Sequence, residues 1–261
     1  MSKSTVVIYA LVLLAGGGAG YYYWQSQQAP EQVIAEMIEA DEPEVQLIVD
    51  TSTVKTLLPI LEDSDSYMLT AITGLLGNES LMKIFINKNL VQNLVVTIDN
   101  LPSMSAPIKV MPIELAGGEF LTAGRGSSLA ISAKNAERYD AYMKVVDAVD
   151  AKTFVQLYVK SYPLFHQAYE ELGYPDKYFN DRLIFVINDL LAAPDVEEPV
   201  KLVQPLVVYK YAESPLENSS IGQRIMMRIG SHNADKLKSK LRQIKIELLN
   251  HMEKTKLQST G

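Results

Sequence analysis

Apolar side chains recur at helical spacing through most of this chain, and the places where that rhythm breaks divide it into parts. The densest stretch is residues 154–194, FVQLYVKSYPLFHQAYEELGYPDKYFNDRLIFVINDLLAAP. Phe154, Leu157 and Tyr158, then Leu164, Phe165, Ala168, Tyr169 and Leu172, share one helical face. Gly173 suits a left-handed cap, and Pro175 stops the helix just beyond it. Asp176 then opens a second helix with the stripe Phe179, Leu183, Ile184, Ile187, Leu190 and Leu191. The pattern predicts two core helices hinged at Gly173-Tyr174-Pro175. Pro163 either kinks the first or starts it anew, because proline lacks an amide hydrogen.

The remaining helices are shorter. Ser64-Asp65 reads as a helix start, followed by Tyr67, Met68, Ala71, Ile72 and Leu75 and the terminator Gly77. A helical piece is expected over residues 78–86, and Val91, Leu94, Val95, Ile98 and Leu101 mark another that ends before Pro102. Between Leu101 and Ala133 prolines and glycines break the rhythm, and residues 108–115 are expected to pair with 119–122 as a small hairpin. Helical spacing returns at Tyr139, Tyr142, Val145, Val146 and Val149, with Asp150 placed to cap the next helix. Residues 200–211 read as a strand that Pro205 makes an edge or interrupts. Residues 221–229 are helical. Ser231 or Asn233 caps a last helix carrying Leu237, Leu241, Ile244 and Leu248, and residues 251–261 read as a flexible tail. The folded part, residues 53–250, is thus expected to be mainly α: a compact helical domain with a small antiparallel β element.

The amino-terminal part follows a different rule. Residues 5–23 carry no charge, and as a helix they span about 28 Å, close to a bilayer's hydrocarbon thickness. Tyr21, Tyr22, Tyr23 and Trp24 follow as a belt suited to the membrane–water interface. A transmembrane anchor is therefore expected over residues 5–24. Lys3 precedes it and no basic residue follows until Lys55, which places residues 1–4 in the cytoplasm and the domain outside. A cleaved signal peptide, with Gly17 and Ala19 before the cut, is the competing reading; the length and the aromatic belt favour a retained anchor. Gly16 and Gly20 form a G-x-x-x-G through which two anchors can approach, leaving a homodimer open. Residues 25–52 form an acidic linker without Lys or Arg.

Composition narrows the chemistry. The net charge of −7 argues against a general nucleic-acid partner. The absence of cysteine excludes disulfides, thiolate nucleophiles and cysteine-ligated zinc. His166, His232 and His251 lie far apart, with no H-E-x-x-H, so no metal is expected, and no motif calls for a cofactor.

Several polar groups remain as candidates. Asp99 and Asn100 sit at a helix end, where Asp99 suits a base or ligand and helix termination explains the same residues. Arg138, Tyr139 and Asp140 suit carboxylate or phosphate binding through the guanidinium fork, or an internal ion pair. Glu62, Asp63 and Asp65 form an acidic cluster that suits a divided acid and base role and that capping explains with fewer assumptions. His166 and Glu170 share a helical face. Arg228, His232 and Asn233 surround a helix junction. Lys236, Lys238, Lys240, Arg242 and Lys245 form a basic face, read as solvated or as facing anionic lipid or the linker. None of these is assigned a catalytic role.

Leu58-Pro59 with Ser64-Asp65, Val96-Thr97-Ile98-Asp99-Asn100-Leu101-Pro102, Arg138-Tyr139-Asp140, Tyr162-Pro163-Leu164, Ala168-Tyr169 and Leu172-Gly173-Tyr174-Pro175 stand in this order. Leu190-Leu191-Ala192-Ala193-Pro194, Leu216-Glu217 and Arg228-Ile229-Gly230 with Asn233 follow. Together they resemble the bacterial domain-of-unknown-function family 3014 over residues 58–248. The resemblance implies a single membrane span and an exported domain in Gram-negative bacteria, and it brings no established activity. The expectation is a single-pass inner-membrane protein whose periplasmic domain binds or scaffolds an envelope protein partner. An envelope hydrolase using acids near Asp99 or Asp140 is the alternative.

Overall fold

The computed structural model describes residues 58–259. The expected anchor with Gly16 and Gly20, the belt Tyr21, Tyr22, Tyr23 and Trp24, and the acidic linker lie outside the described residues. Among the described residues no helix is long and apolar enough to cross a membrane.

The fold is mainly helical. In chain order it has α1 (Asp65–Leu76), α2 (Leu90–Asn100), α3 (Asp140–Ala148), α4 (Ala151–Glu171), α5 (Phe179–Leu191), a short α6 (Ser214–Glu217), α7 (Ile221–Arg228) and α8 (Ser231–Ser259). Two antiparallel ribbons accompany them. β1 (Thr122–Ala123) pairs with β2 (Ala130–Ile131), and β3 (Leu202–Val203) pairs with β4 (Lys210–Tyr211). An antiparallel bridge from Ala130 to Lys201 joins the ribbons edge to edge.

α4 and α5 form the expected centre. α4 packs against α1, α2, α5 and α8, and its buried face holds Val155, Tyr158, Tyr162, Leu164, Phe165 and Tyr169. Pro163 lies inside a single unbroken helix. Tyr162, Leu164 and Phe165 are buried around it, so tertiary packing carries the helix through a residue that would break a free one. Aromatic rings tie α4 to α5 and to the turn before it: Phe165 stacks on Phe179 at 6.0 Å and Tyr169 stacks on Tyr174 at 4.6 Å. Gly173 takes φ 115° at the turn, as its predicted capping role requires. α5 begins at Phe179, later than Asp176, because Pro175 to Lys177 close a turn with the Lys177 amide donating to the Tyr174 carbonyl.

Four local expectations are corrected once the chain is folded. Residues 108–115 do not pair with 119–122. Instead the Ile86 amide donates to the Pro112 carbonyl and the Glu114 amide to the Ile84 carbonyl, so Phe85 and Ile113 form the bridge. The helical piece after Asn78 is accordingly a 3-10 turn, Glu79–Ile84, which ends before Ile86. Residues 200–211 are a hairpin whose strands are Leu202–Val203 and Lys210–Tyr211, with Pro205 in the loop between them. Asp65 caps α2 rather than its own helix, accepting the Asn89 and Leu90 amides at 2.8 and 2.7 Å. Asp150 does cap α4 as expected, accepting the Thr153 amide at 2.8 Å.

Part of the basic face of α8 is drawn inward in the same way, while Lys236 and Arg242 stay exposed. Lys238 is buried and donates to the Ala193 carbonyl at 2.7 Å and to the Asp195 carboxylate. Lys240 donates to the Val149 carbonyl, and Lys236 pairs with Asp147 at 3.2 Å. Two of these lysines thus cover carbonyls at the carboxyl ends of α3 and α5, where the helix dipole favours a cation. α8 runs through His251 to Ser259.

Candidate functional site

The sequence candidates fall into two separate clusters, and each is built around a residue the pattern did not single out. The first centres on Asn135, in the 3-10 turn Ala133–Tyr139 that leads into α3. Asn135 is fully buried. Its Oδ1 accepts the Leu121 amide at 3.2 Å and Arg138 Nη1 at 3.1 Å, and its Nδ2 donates to the Arg228 carbonyl at 3.1 Å. One amide side chain therefore joins the residue before β1, the 3-10 turn that leads into α3, and the end of α7.

Arg138 uses its fork on backbone. Nε donates to the Gly117 carbonyl at 3.0 Å, and Nη2 to the Ala116 and Gly118 carbonyls at 3.0 and 3.1 Å. This gathers the Gly-Gly turn onto α3 and explains why that turn does not close the expected hairpin. Arg138 makes no ion pair with Asp140 among the described residues; the guanidinium lies 5.8 Å from the Tyr139 ring centroid instead. Tyr142, one turn on, donates to the Glu114 carbonyl at 2.7 Å, and burial, with Glu114 next, raises its phenol above the ordinary value.

Arg228 lies between two rings, 5.9 Å from the Phe120 centroid and 5.5 Å from that of Tyr211. Burial pushes the Tyr211 phenol up to about 12, and the positive charges of Arg228 and Arg224 oppose the shift. Beside Arg228 is a cavity of about 40 Å³ reaching Ser132, Glu198 and Gly230. An adjoining cleft of about 260 Å³ brings Asp140 together with Glu137, Glu198, His232 and Asn233. Glu198 accepts the Ser231 amide at 2.9 Å at the start of α8, and that bond holds its carboxyl below its ordinary range. Asn233 donates to the Ile229 carbonyl at 2.9 Å. The cleft is thus acidic at its rim, and its polar groups mainly join α7 to α8.

The second cluster lies at the end of α2. Asp99 is nearly buried; its Oδ1 accepts Arg182 Nε at 2.8 Å, and its backbone carbonyl accepts Arg182 Nη2 at 2.6 Å. The Tyr174 hydroxyl donates to the other carboxylate oxygen at 3.4 Å. Burial and the nearby Asp99 charge push the Tyr169 phenol up to about 12, with Arg182 opposing. Asp99 is therefore a clamp between α2, the Gly173-Tyr174-Pro175 turn and α5. Asn100 bonds within α2, donating to the Val96 carbonyl at 2.8 Å. Arg182 escaped the pattern reading, although it is the only basic residue of α5 and a charge inside so apolar a helix signals a partner.

The other candidates stay apart. The His166 ring stacks between Tyr162 and Tyr178, at 5.4 and 5.5 Å, and its Nε2 lies 3.6 Å from Glu170. Of the acidic cluster Glu62, Asp63 and Asp65, Asp65 is taken up by α2, whose first amides it accepts. Among the described residues no three His, Asp or Glu side chains are grouped so as to hold a metal ion. A groove of about 380 Å³ runs between α4 and α8, with Val155 and Val159 in its lining and Lys152 and Lys160 beside them.

Among the described residues the most exposed apolar surface lies elsewhere, at the loop of the β3–β4 hairpin. Leu206, Val207 and Val208 are 85%, 87% and 61% exposed in one consecutive run. Their hairpin stem is anchored from inside by Leu202 and Tyr211, which pack with Val200 and Met227.

No curated protein and no solved structure matches the chain. Residues 90–245, more than half of the 261, match the family model described as Protein of unknown function (DUF3014). That stretch runs from α2 into α8 and contains the Asp99–Arg182 clamp, the Asn135 cluster and the exposed hairpin. This chain belongs to the DUF3014 family.

Proposed function

We propose that this chain is a membrane-tethered module of the bacterial cell envelope that acts by binding, holding an envelope protein partner near the inner membrane. The observation that carries the reading is a division of labour among side chains. Asp99, Arg138 and Arg228, three of the sequence candidates, are engaged with an ion-pair partner, backbone carbonyls and aromatic rings, whereas the groove between α4 and α8, with Val155 and Val159 in its lining, is left open. A hydrolase would need a carboxylate placed to move a proton, and Asp99 is held by Arg182. The tether itself rests on the sequence: the uncharged stretch 5–23, its aromatic belt and the placement of Lys3. In this reading the amino terminus is cytoplasmic, the domain is periplasmic, and the groove between α4 and α8 is open to a partner.

The test is in-cell crosslinking of the tagged full-length chain, run beside single Asp99→Asn and Asp140→Asn variants in a complementation assay. A defined envelope protein should be captured by the full-length chain, and both variants should keep function wherever they keep the fold. Loss of function with the fold intact would restore the hydrolase reading.

A further inference from the structure

We infer that the β3–β4 hairpin is a membrane-contacting finger: its Leu206-Val207-Val208 tip enters the acyl boundary of an anionic bilayer, and basic side chains on the same sheet edge meet the headgroups. Folding gives no reason for this tip to be apolar. The stem is held from within by Leu202 and Tyr211, while the loop beyond it is exposed. Three consecutive residues of an irregular loop present side chains in different directions. A flat protein face reaches some of them, whereas fluid hydrocarbon surrounds all of them.

The strand register supplies the second argument. β1 with β2, Ala130 with Lys201, and β3 with β4 are all antiparallel. The loop after β1 and the loop after β3 therefore leave the sheet at the same edge. The first carries Arg125, which is exposed. In the second hairpin Lys210 faces outward beside Val203, and Lys201 is exposed at the base. Residues 121–131 and 201–211 hold these three cations and no Asp or Glu, in a chain whose net charge is −7. Cations clustered around an apolar tip match an anionic leaflet. Tyr209, packed on Phe120 at 5.8 Å, sits between tip and base, where an amphipathic ring suits the interface.

This inference rests on the tethered reading for its bilayer and assigns the lipid contact to the finger, leaving a protein partner to other faces. The chain has no cysteine, so Val207→Cys creates a unique thiol at the tip and Glu79→Cys a unique exposed control in the distant 3-10 turn. Each full-length variant is labelled with a polarity-sensitive dye. It is then reconstituted into vesicles of phosphatidylglycerol with phosphatidylethanolamine, or of phosphatidylcholine alone. The label at 207 should shift to the blue and be quenched by brominated acyl chains several-fold more than the control, and more strongly in the anionic vesicles. Adding Lys201→Gln and Lys210→Gln should remove the difference between the two lipids. A label at 207 that stays as wet as the control overturns the inference. So does protection that appears only when an envelope protein fraction is added. Chain that fails to float with vesicles refutes the tether and the finger together; chain that floats with a wet tip refutes the finger alone.

Discussion

Replacing Asp99 with alanine separates a structural clamp from a free carboxylate. The change removes the acceptor of Arg182 Nε at 2.8 Å and that of the Tyr174 hydroxyl at 3.4 Å, while the 2.6 Å bond from Arg182 Nη2 to the Asp99 backbone carbonyl survives. A hydrogen bond to a charged group nets about 1.5–3 kcal/mol, and breaking a fully buried pair on one side costs about 3–5 kcal/mol. The Asp99 and Arg182 side chains are 11% and 26% exposed, so solvent screens part of the interaction. The long tyrosine bond adds little. Asp99→Ala should therefore cost about 2 kcal/mol, equivalent to about 4–8 °C in Tm for a domain of this size. Arg182→Ala loses both arginine bonds and should cost somewhat more. The double variant should fall short of the sum by about 1–2 kcal/mol, which is the coupling between the two side chains. The assay is urea unfolding of the full-length chain in detergent, followed by far-UV circular dichroism, with the slope unchanged between variants. Additive effects, or a cost for Asp99→Ala below about 0.5 kcal/mol, would refute the clamp and return Asp99 to candidacy as a base.

Two glycines should respond with opposite signs. Gly74 lies inside α1 with open space where a Cβ would go, so Gly74→Ala should stabilise by about 0.5–1 kcal/mol. A Cβ on Gly222 would meet a Leu190 methyl at 2.7 Å and the Leu101 carbonyl oxygen at 3.1 Å, against which the Gly222 amide is already bonded. Overpacking of about 1–3 kcal/mol should outweigh the helical gain there, and thermal unfolding of both variants checks the pair. Glu198 has its carboxyl lowered from 4.5, first by the Ser231 amide, so its ionised form stabilises the fold. That contribution is complete above the ordinary carboxyl value and disappears as pH falls through the lowered folded value. Glu198→Gln should flatten the acid limb of a stability–pH profile below pH 4.5 and leave its neutral region parallel to the parent's.

The two central helices were legible because their stripes are long and their turn is punctuated by Gly173 and Pro175. Caps were legible in part: Asp150 serves its own helix, whereas Asp65 reaches across to α2, and nothing local distinguishes the two. The candidate sites were legible as residue types and not as roles. Arg138 was visible as a fork, but the carbonyls of Ala116, Gly117 and Gly118 that occupy it lie about 20 residues upstream. Asn135 had no signal, because an amide in a polar turn looks solvated until the chain closes around it.

What the sequence determined by itself is what depends on short range: helical faces, their breaks, the family membership, and the expectation of a charge-free anchor. These follow from side-chain periodicity and backbone sterics within a few residues. Tertiary structure alone decided which polar groups remain available. Lys238 became a buried cap, Asp99 a clamp and Arg138 a staple, because each met backbone or charge from a distant segment. It also decided that Leu206, Val207 and Val208 would stay outside, since a run of apolar residues reads the same in a buried strand and in an exposed loop until its neighbours are in place.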